Sequence, residues 1–307
     1  MASRWHWHWI AVIFSGLALC SRLWADSIGL LYPDVRDPYL KVFLNIADGA
    51  RKQLGIPLHH QVFSRDASPE DTQRWLAAND ISAAILLGSG NVGMLGADPN
   101  FPYVVGAISA QAPDTYSSIS LNPAPDLLFK GLLRLKPGIN TIHVVYDTER
   151  NSWEIEQAKA IAADMQLQLV VYPANNLRDA AKIFRDAQQD MDGNREALWL
   201  PLGGPARDKS ILQSILETAW IKEQVVISSN LADVKRGVLF SLYPDNTGMG
   251  QELAKLLQSL QANPQMQPNT YFVRSLFSAI NRRTAEHLEI HLGNQELNNY
   301  DFVYPPR

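Results

Sequence analysis

The chain has 307 residues, of which 46% are hydrophobic, 19% charged and 9% aromatic. That is too apolar for a disordered chain and, at about 150 residues per domain, enough for two packed cores. A formal net charge of −4 argues against nucleic-acid or polybasic membrane-surface binding, and a single cysteine, Cys20, excludes a disulfide scaffold, a cysteine-rich zinc site or an Fe–S cluster.

Residues 1–25 read as a secretory signal. Arg4 and the amino terminus supply positive charge, Ile10 to Cys20 is the apolar run, and Leu23-Trp24-Ala25 ends on a small residue for cleavage. The run is shorter than the about 20 apolar residues that span a bilayer, and later apolar runs are broken by charge, Gly or Pro. The expected mature protein is exported, soluble and periplasmic, starting near Asp26. Lipidation at Cys20 is the weaker reading, because that processing prefers a small preceding residue and Leu19 is bulky. Losing Arg4 and Arg22 with the leader takes the net charge from −4 to −6.

From Ser27, short apolar runs alternate with amphipathic stretches. Ile28 to Leu31 is a buried strand, followed by a helix with Tyr39, Val42, Phe43, Ile46, Ala50 and Leu54 on one face, stopped by Gly55 and Pro57. Leu58 to Phe63 is the second strand. Ser68 then caps a helix with Pro69 at its first position. Ile81 to Leu87 and Tyr103 to Ile108 are strands three and four, and Ser117 to Leu121 is a further extended piece. The rhythm restarts with strands at Thr141 to Tyr146, Gln168 to Tyr172, Ala197 to Leu202 and Val225 to Ser228, each of the first three followed by a helical stripe. Val238 to Leu242 and the helix carrying Leu253, Leu256, Leu257 and Leu260 come next.

Strands separated by single helices predict right-handed βαβ units and parallel sheets flanked by helices. Two such sets predict two Rossmann-like α/β lobes. Ligand sites in such sheets lie at the carboxyl ends of the strands, so two facing lobes would share a cleft and close on a hinge.

Several motifs invite chemistry and do not sustain it. Gly88 to Gly93 is a literal G-x-G-x-x-G after a strand, but it follows the third strand and leaves barely two helical turns before Pro99. What survives is a set of backbone N–H groups near Ser89 and Gly90 suited to an anionic group. Gly203 to Ser210 resembles a phosphate loop, yet Asp208 stands where glycine is required and is better read as a helix cap. His287 and His291 are four apart with Glu289 misplaced for a zinc-protease helix, and His59 and His60 point to opposite faces of a strand. No G-x-S-x-G elbow occurs. No catalytic residue, metal site or cofactor is expected, and the chain is read as a non-enzyme.

Four segments together resemble one family. They are Val144 to Asn151 (VVYDTERN), Val234 to Gly237 before an apolar strand, Tyr243 to Leu257 (YPDNTGMGQELAKLL) and Ile280 to Leu288 (INRRTAEHL). The family is the ABC-transporter substrate-binding proteins that include tryptophan- and tyrosine-binding lipoproteins, and the resemblance runs along essentially all of the mature chain. Two departures bear on ligand recognition. Pro201 to Pro205 replaces an acidic or threonine-rich turn, and Ser109 to Pro113 replaces an Asp-Pro.

The resemblance implies a type I periplasmic-binding fold with three hinge crossings. Lobe one would be residues 26–120 plus 238–262, and lobe two residues 121–237 plus 263–307. The implied ligand residues are Tyr32, Ser89, Gly90 and Ile108 from lobe one, with Pro33 beside them. Lobe two would contribute Tyr146, Glu149, Asn151, Gly203 and Asn230, with Asn175 alongside, and Asp245 would lie near the hinge. For a zwitterionic ligand, Ser89 and the Gly90 N–H would take the carboxylate and Glu149 or Asp245 the ammonium. Tyr32, Tyr146 and Trp153 would stack on an apolar side chain. The implied partners are a small-molecule ligand and the membrane permease of an ABC transporter. A membrane sensor kinase or cyclase is the alternative partner. A repressor of the same fold would need a DNA-binding helix-turn-helix where the signal segment stands.

Overall fold

A computed structural model describes residues 27–64, 66–96, 99–109 and 115–306, without the Ser89 side chain. The expected signal segment with its expected cleavage site, Cys20 and residues 110–114 lie outside the described residues.

The first unit runs β1 (Ile28–Pro33), α1 (Tyr39–Leu54), β2 (Leu58–Phe63), α2 (Pro69–Ala78), β3 (Ala83–Leu87), a 3-10 helix (Ser89–Leu95), β4 (Tyr103–Ile108) and β5 (Ser117–Pro123). β1 and β3 are almost entirely apolar and buried, as strands of a parallel sheet covered on both faces must be. α1 ends because Gly55 takes a φ of 71° and returns its N–H to Arg51 O at 3.0 Å. α2 starts where expected: Ser68 Oγ accepts from Asp71 N at 3.1 Å, with Pro69 at the first turn.

The second unit runs α3 (Pro125–Leu135), β6 (Thr141–Asp147), α4 (Ser152–Asp164), β7 (Gln168–Ala174), α5 (Leu177–Asp190), β8 (Glu196–Leu200), a 3-10 turn (Pro205–Arg207), α6 (Lys209–Ile221), β9 (Val225–Ser228), α7 (Leu231–Val234) and β10 (Phe240–Pro244). The chain then returns as α8 (Asn246–Ala262) and β11 (Thr270–Val273), and ends with β12 (Leu276–Asn281), α9 (Arg282–His287), α10 (Asn294–Leu297) and β13 (Phe302–Tyr304).

Among the described residues there are two sheets, ordered β11-β5-β4-β3-β1-β2 and β13-β12-β10-β9-β8-β6-β7. The first is parallel throughout. The second is parallel except where β12 runs against β10. Helices cover both faces of each sheet, giving the two α/β lobes that the alternating pattern predicts.

The lobe boundaries differ from expectation. Residues 238–262 do not all belong to lobe one, because β10 pairs with β9 and β12 in the second sheet and only α8 returns to the first. Conversely β11, expected in lobe two, is the outer strand of the first sheet beside β5. Residues 121–123 also stay with β5. An apolar run locates a strand but does not say which sheet it joins.

α8 packs tightly along α1 because two glycines let their backbones meet. A Cβ on Gly49 would lie 1.9 Å from Thr247 O, and one on Gly250 would lie 1.9 Å from Ile46 O. Behind this contact lie Ile46, Ala50, Met249 and Leu253, all buried. Each fully buried large aliphatic side chain contributes roughly 1.5–3 kcal/mol.

Candidate functional site

Both sheets contain the same reversal of strand order. β1 lies between β2 and β3 in the first, and β6 lies between β7 and β8 in the second. Loops leaving two such strands diverge to opposite faces and open a crevice at their carboxyl ends. The chain passes between lobes after β5, after β10 and after β11, each time from a strand's carboxyl end, and β5 touches β10. The carboxyl edges of the two sheets therefore face each other, with the crevices on facing edges.

In lobe two the crevice is built from the loops after β6 and β8. Asp147 shapes the first: its Oδ1 accepts from Glu149 N at 3.0 Å and its carbonyl from Asn151 N at 2.9 Å. Asn151 then ties the two loops together, its Nδ2 donating to Leu202 O at 2.9 Å and to Glu154 Oε2 at 3.2 Å. Thr148 Oγ1 donates to Asn175 Oδ1 at 3.0 Å, adding the loop after β7. Gly203 sits at a φ of 70° with open space around it. Glu154, in the first turn of α4, is fully buried, and burial pushes its carboxyl up to about 8 against the opposing Asn151 hydrogen bond.

In lobe one, Gly88 takes a φ of 86° and its N–H donates to Gly106 O at 2.8 Å, so the chain turns sharply into the 3-10 helix. Among the described residues no side chain caps the start of that helix. Asn91 Nδ2 donates to Leu87 O at 2.9 Å, fixing the turn, and Gly90 is exposed, with open space where a Cβ would stand.

The proposed ligand residues divide into two groups. Gly90, Glu149 and Gly203 lie on the facing edges and are accessible, and Pro33 and Asn175 stand beside them. Tyr146 is partly buried against the lobe-two core. Asn230 caps α7, accepting from Ala232 N at 3.1 Å, and Asp245 caps α8 at the second crossing, accepting from Thr247 N at 3.0 Å. The other group is spent on the fold. Tyr32 is buried with its ring 5.8 Å from Phe43 and 6.0 Å from His60, Ile108 is buried under the second face of the first sheet, and Asn151 is fully buried. Trp153 stacks on Phe272 of β11, with ring centroids 4.5 Å apart. The side chain of Ser89 lies outside the described residues.

The other motifs resolve as structure. Asp208 Oδ1 caps α6 by accepting from Ser210 N and Ile211 N at 2.9 and 3.2 Å. α9 ends at His287, so His291 does not share its helix face. His287 instead stacks on Trp220 with centroids 3.7 Å apart.

Sequence reasoning missed what surrounds the crossings. Ala124 N donates to Val273 O at 3.1 Å and Asp245 N to Ser275 O at 3.0 Å, so the crossings are bonded to one another. Asn122, just before the first crossing, is fully buried, and among the described residues neither its Nδ2 nor its Oδ1 has a hydrogen-bond partner. No periodicity marks such a residue, and the only sequence cue was an Asn within an otherwise apolar strand end.

No protein-family model and no curated protein matches this sequence. Solved structures do. A ligand-free, open substrate-binding protein with adhesive properties from Clostridium difficile superposes with a TM-score of 0.64 at 15% identity, covering 90% of this chain and 99% of that one. The fold is that of the type I periplasmic binding proteins. A Streptococcus pneumoniae ABC domain in complex with L-Trp shares this binding-protein fold (TM-score 0.54, 17% identity, 91% and 99% covered). A periplasmic ribose ABC transporter protein from Conexibacter woesei also shares it (TM-score 0.52, 11% identity, 87% and 95% covered).

Proposed function

We propose that this chain is an exported, non-enzymatic solute-binding protein that holds a small molecule between its lobes and delivers it to the membrane permease of an ABC-type uptake system. The observation that carries this reading is the pair of strand-order reversals on facing sheet edges, each opening a crevice toward the other. The loops there offer exposed backbone and exposed carboxylates at Asp34, Asp37 and Glu149, and contain neither histidine nor cysteine. Such a surface suits recognition rather than acid–base chemistry. Solved proteins of this fold whose names speak of L-Trp or ribose support it.

An amino acid or related compound fits the accessible groups. The backbone at Ser89 and Gly90 would face its carboxylate, Glu149 or Asp245 its ammonium, and Tyr146 its apolar side chain. A molecule touching both edges favours the closed arrangement by its extra affinity for that form. Moving the equilibrium from almost fully open to almost fully closed takes roughly a 10⁴-fold preference. The permease would then read the closed form.

The test is to purify the protein natively from a periplasmic extract and record its mass before and after mild denaturation. A released small molecule is the expected result. A protein that carries none, and is not stabilised by a metabolite panel including the aromatic amino acids, would contradict the reading.

A further inference from the structure

A second cavity, of about 480 Å³, lies on the flank of the hinge, and none of the crevice loops line it. Its walls come from both lobes. Glu252, Lys255 and Leu256 of α8 and Asn269 to Phe272 on and before β11 form one side, and Trp153 and Gln157 of α4 reach over from the other. The Trp153–Phe272 stack, 4.5 Å between centroids at 29°, is thus a contact between lobes.

The polar groups here differ in how far they are engaged. The Glu252 carboxylate accepts from the backbone N–H groups of Arg274 and Ser275. The Arg274 guanidinium is held by Asp126 at 2.9 and 3.0 Å. Lys255 is exposed and forms no ion pair among the described residues. The cavity therefore joins aromatic surface to one uncommitted positive charge, at a volume typical of small-molecule sites, roughly 300–1,000 Å³.

We propose that this cavity is a second small-molecule site that takes a planar aromatic ring bearing an anionic group. The ring packs against the Trp153–Phe272 pair and the anion meets Lys255. Because the walls belong to different lobes, an occupant biases the hinge, and whatever the crevices hold biases this site in return. The site is distinct from the crevices, so it stands or fails independently of the solute-binding reading.

The test titrates the mature protein with indole-3-acetate, and with indole-3-ethanol as its uncharged counterpart, by calorimetry. Saturable binding of the acetate is expected. It should be weakened about fivefold or more in Lys255→Ala and for the alcohol, and lost in Trp153→Leu. Any molecule that co-purifies with the wild-type protein should be retained by Lys255→Ala. No saturation by about 1 mM acetate, equal binding of the alcohol, indifference to Lys255→Ala, or competition with a co-purified molecule for one site would each overturn the proposal. Thermal unfolding of both variants identifies loss through misfolding, and Lys255→Ala, at an exposed position, keeps the test decisive.

Discussion

Arg274 and Asp126 form a two-pronged ion pair, Nη1 to Oδ1 at 2.9 Å and Nη2 to Oδ2 at 3.0 Å, that joins the third interlobe crossing to the first. Lys130 adds a third bond to Asp126 at 3.0 Å. Arg274, then burial in the opposite sense, then Lys130 set the Asp126 carboxyl, whose net displacement is below the usual carboxylate range. The pair is partly solvated, with the Arg274 side chain 57% exposed, so its worth is limited. Arg274→Met is expected to cost about 1 kcal/mol or less in urea unfolding while broadening the spread of lobe arrangements in small-angle scattering. Because the folded-state pKa of Asp126 is depressed, its contribution is present above the ordinary carboxylate range and is lost as pH falls through the folded value. Unchanged scattering in Arg274→Met would show that the pair does not restrain the hinge.

Glu154 runs the other way. Its folded-state carboxyl is raised from 4.5 to about 8, chiefly by burial. The stability that depends on its neutral form is complete below the unfolded value and is lost as pH rises through the folded one, at roughly 1.4 kcal/mol per pH unit across the gap. Wild-type protein should therefore melt progressively lower from about pH 5 to about pH 9. Glu154→Gln, which can still accept from Asn151, should be much flatter and overtake wild type at the alkaline end. Parallel curves for the two proteins would refute this assignment.

The α1–α8 contact makes a steric prediction. Gly49→Ala and Gly250→Ala each place a methyl 1.9 Å from a backbone carbonyl oxygen. A backbone atom cannot step aside as a side-chain tip can, so each change should cost about 3 kcal/mol or more, or prevent folding. Gly93→Ala, which meets nothing within 4 Å, should stay within about 0.5 kcal/mol of wild type. Equal losses at all three positions in chemical denaturation would contradict the packing described.

Asn122 should be dispensable for stability. A buried amide with no hydrogen bond costs about 1–3 kcal/mol, and leucine has nearly the same shape. Asn122→Leu is expected to raise the unfolding free energy by about 1–2 kcal/mol. A fall instead would show that the amide is bonded in solution.

Local chemistry was legible in the sequence, and long-range pairing was not. Tyr103 to Ile108, Ser68-Pro69 and Asp208 could be read because strands, caps and first turns are decided within a few residues. The sheet to which Phe240–Pro244 or Thr270–Val273 belongs depends on partners far along the chain, and nothing in their composition distinguishes the two. The ends of the strands were legible. The direction of each side chain was not. Tyr32 ends a strand buried on both faces, and its ring turns to Phe43 instead of the crevice. Asn151 has the polarity of a ligand contact but spends its amide on Leu202 and Glu154. Gly90 and Gly203 stay accessible because a glycine after a strand has little to bury.

The central claim is that a small molecule between the facing crevices closes the lobes. It is tested most directly by small-angle scattering of the mature protein, stripped by mild denaturation and refolding, with and without the molecule released from the native preparation. The account predicts a smaller radius of gyration on addition, and loss of that change in Gly90→Trp or Glu149→Trp, which place a bulky ring at exposed positions in the crevice loops. A released molecule that binds without altering the radius, or that binds these variants as well as wild type, would contradict it.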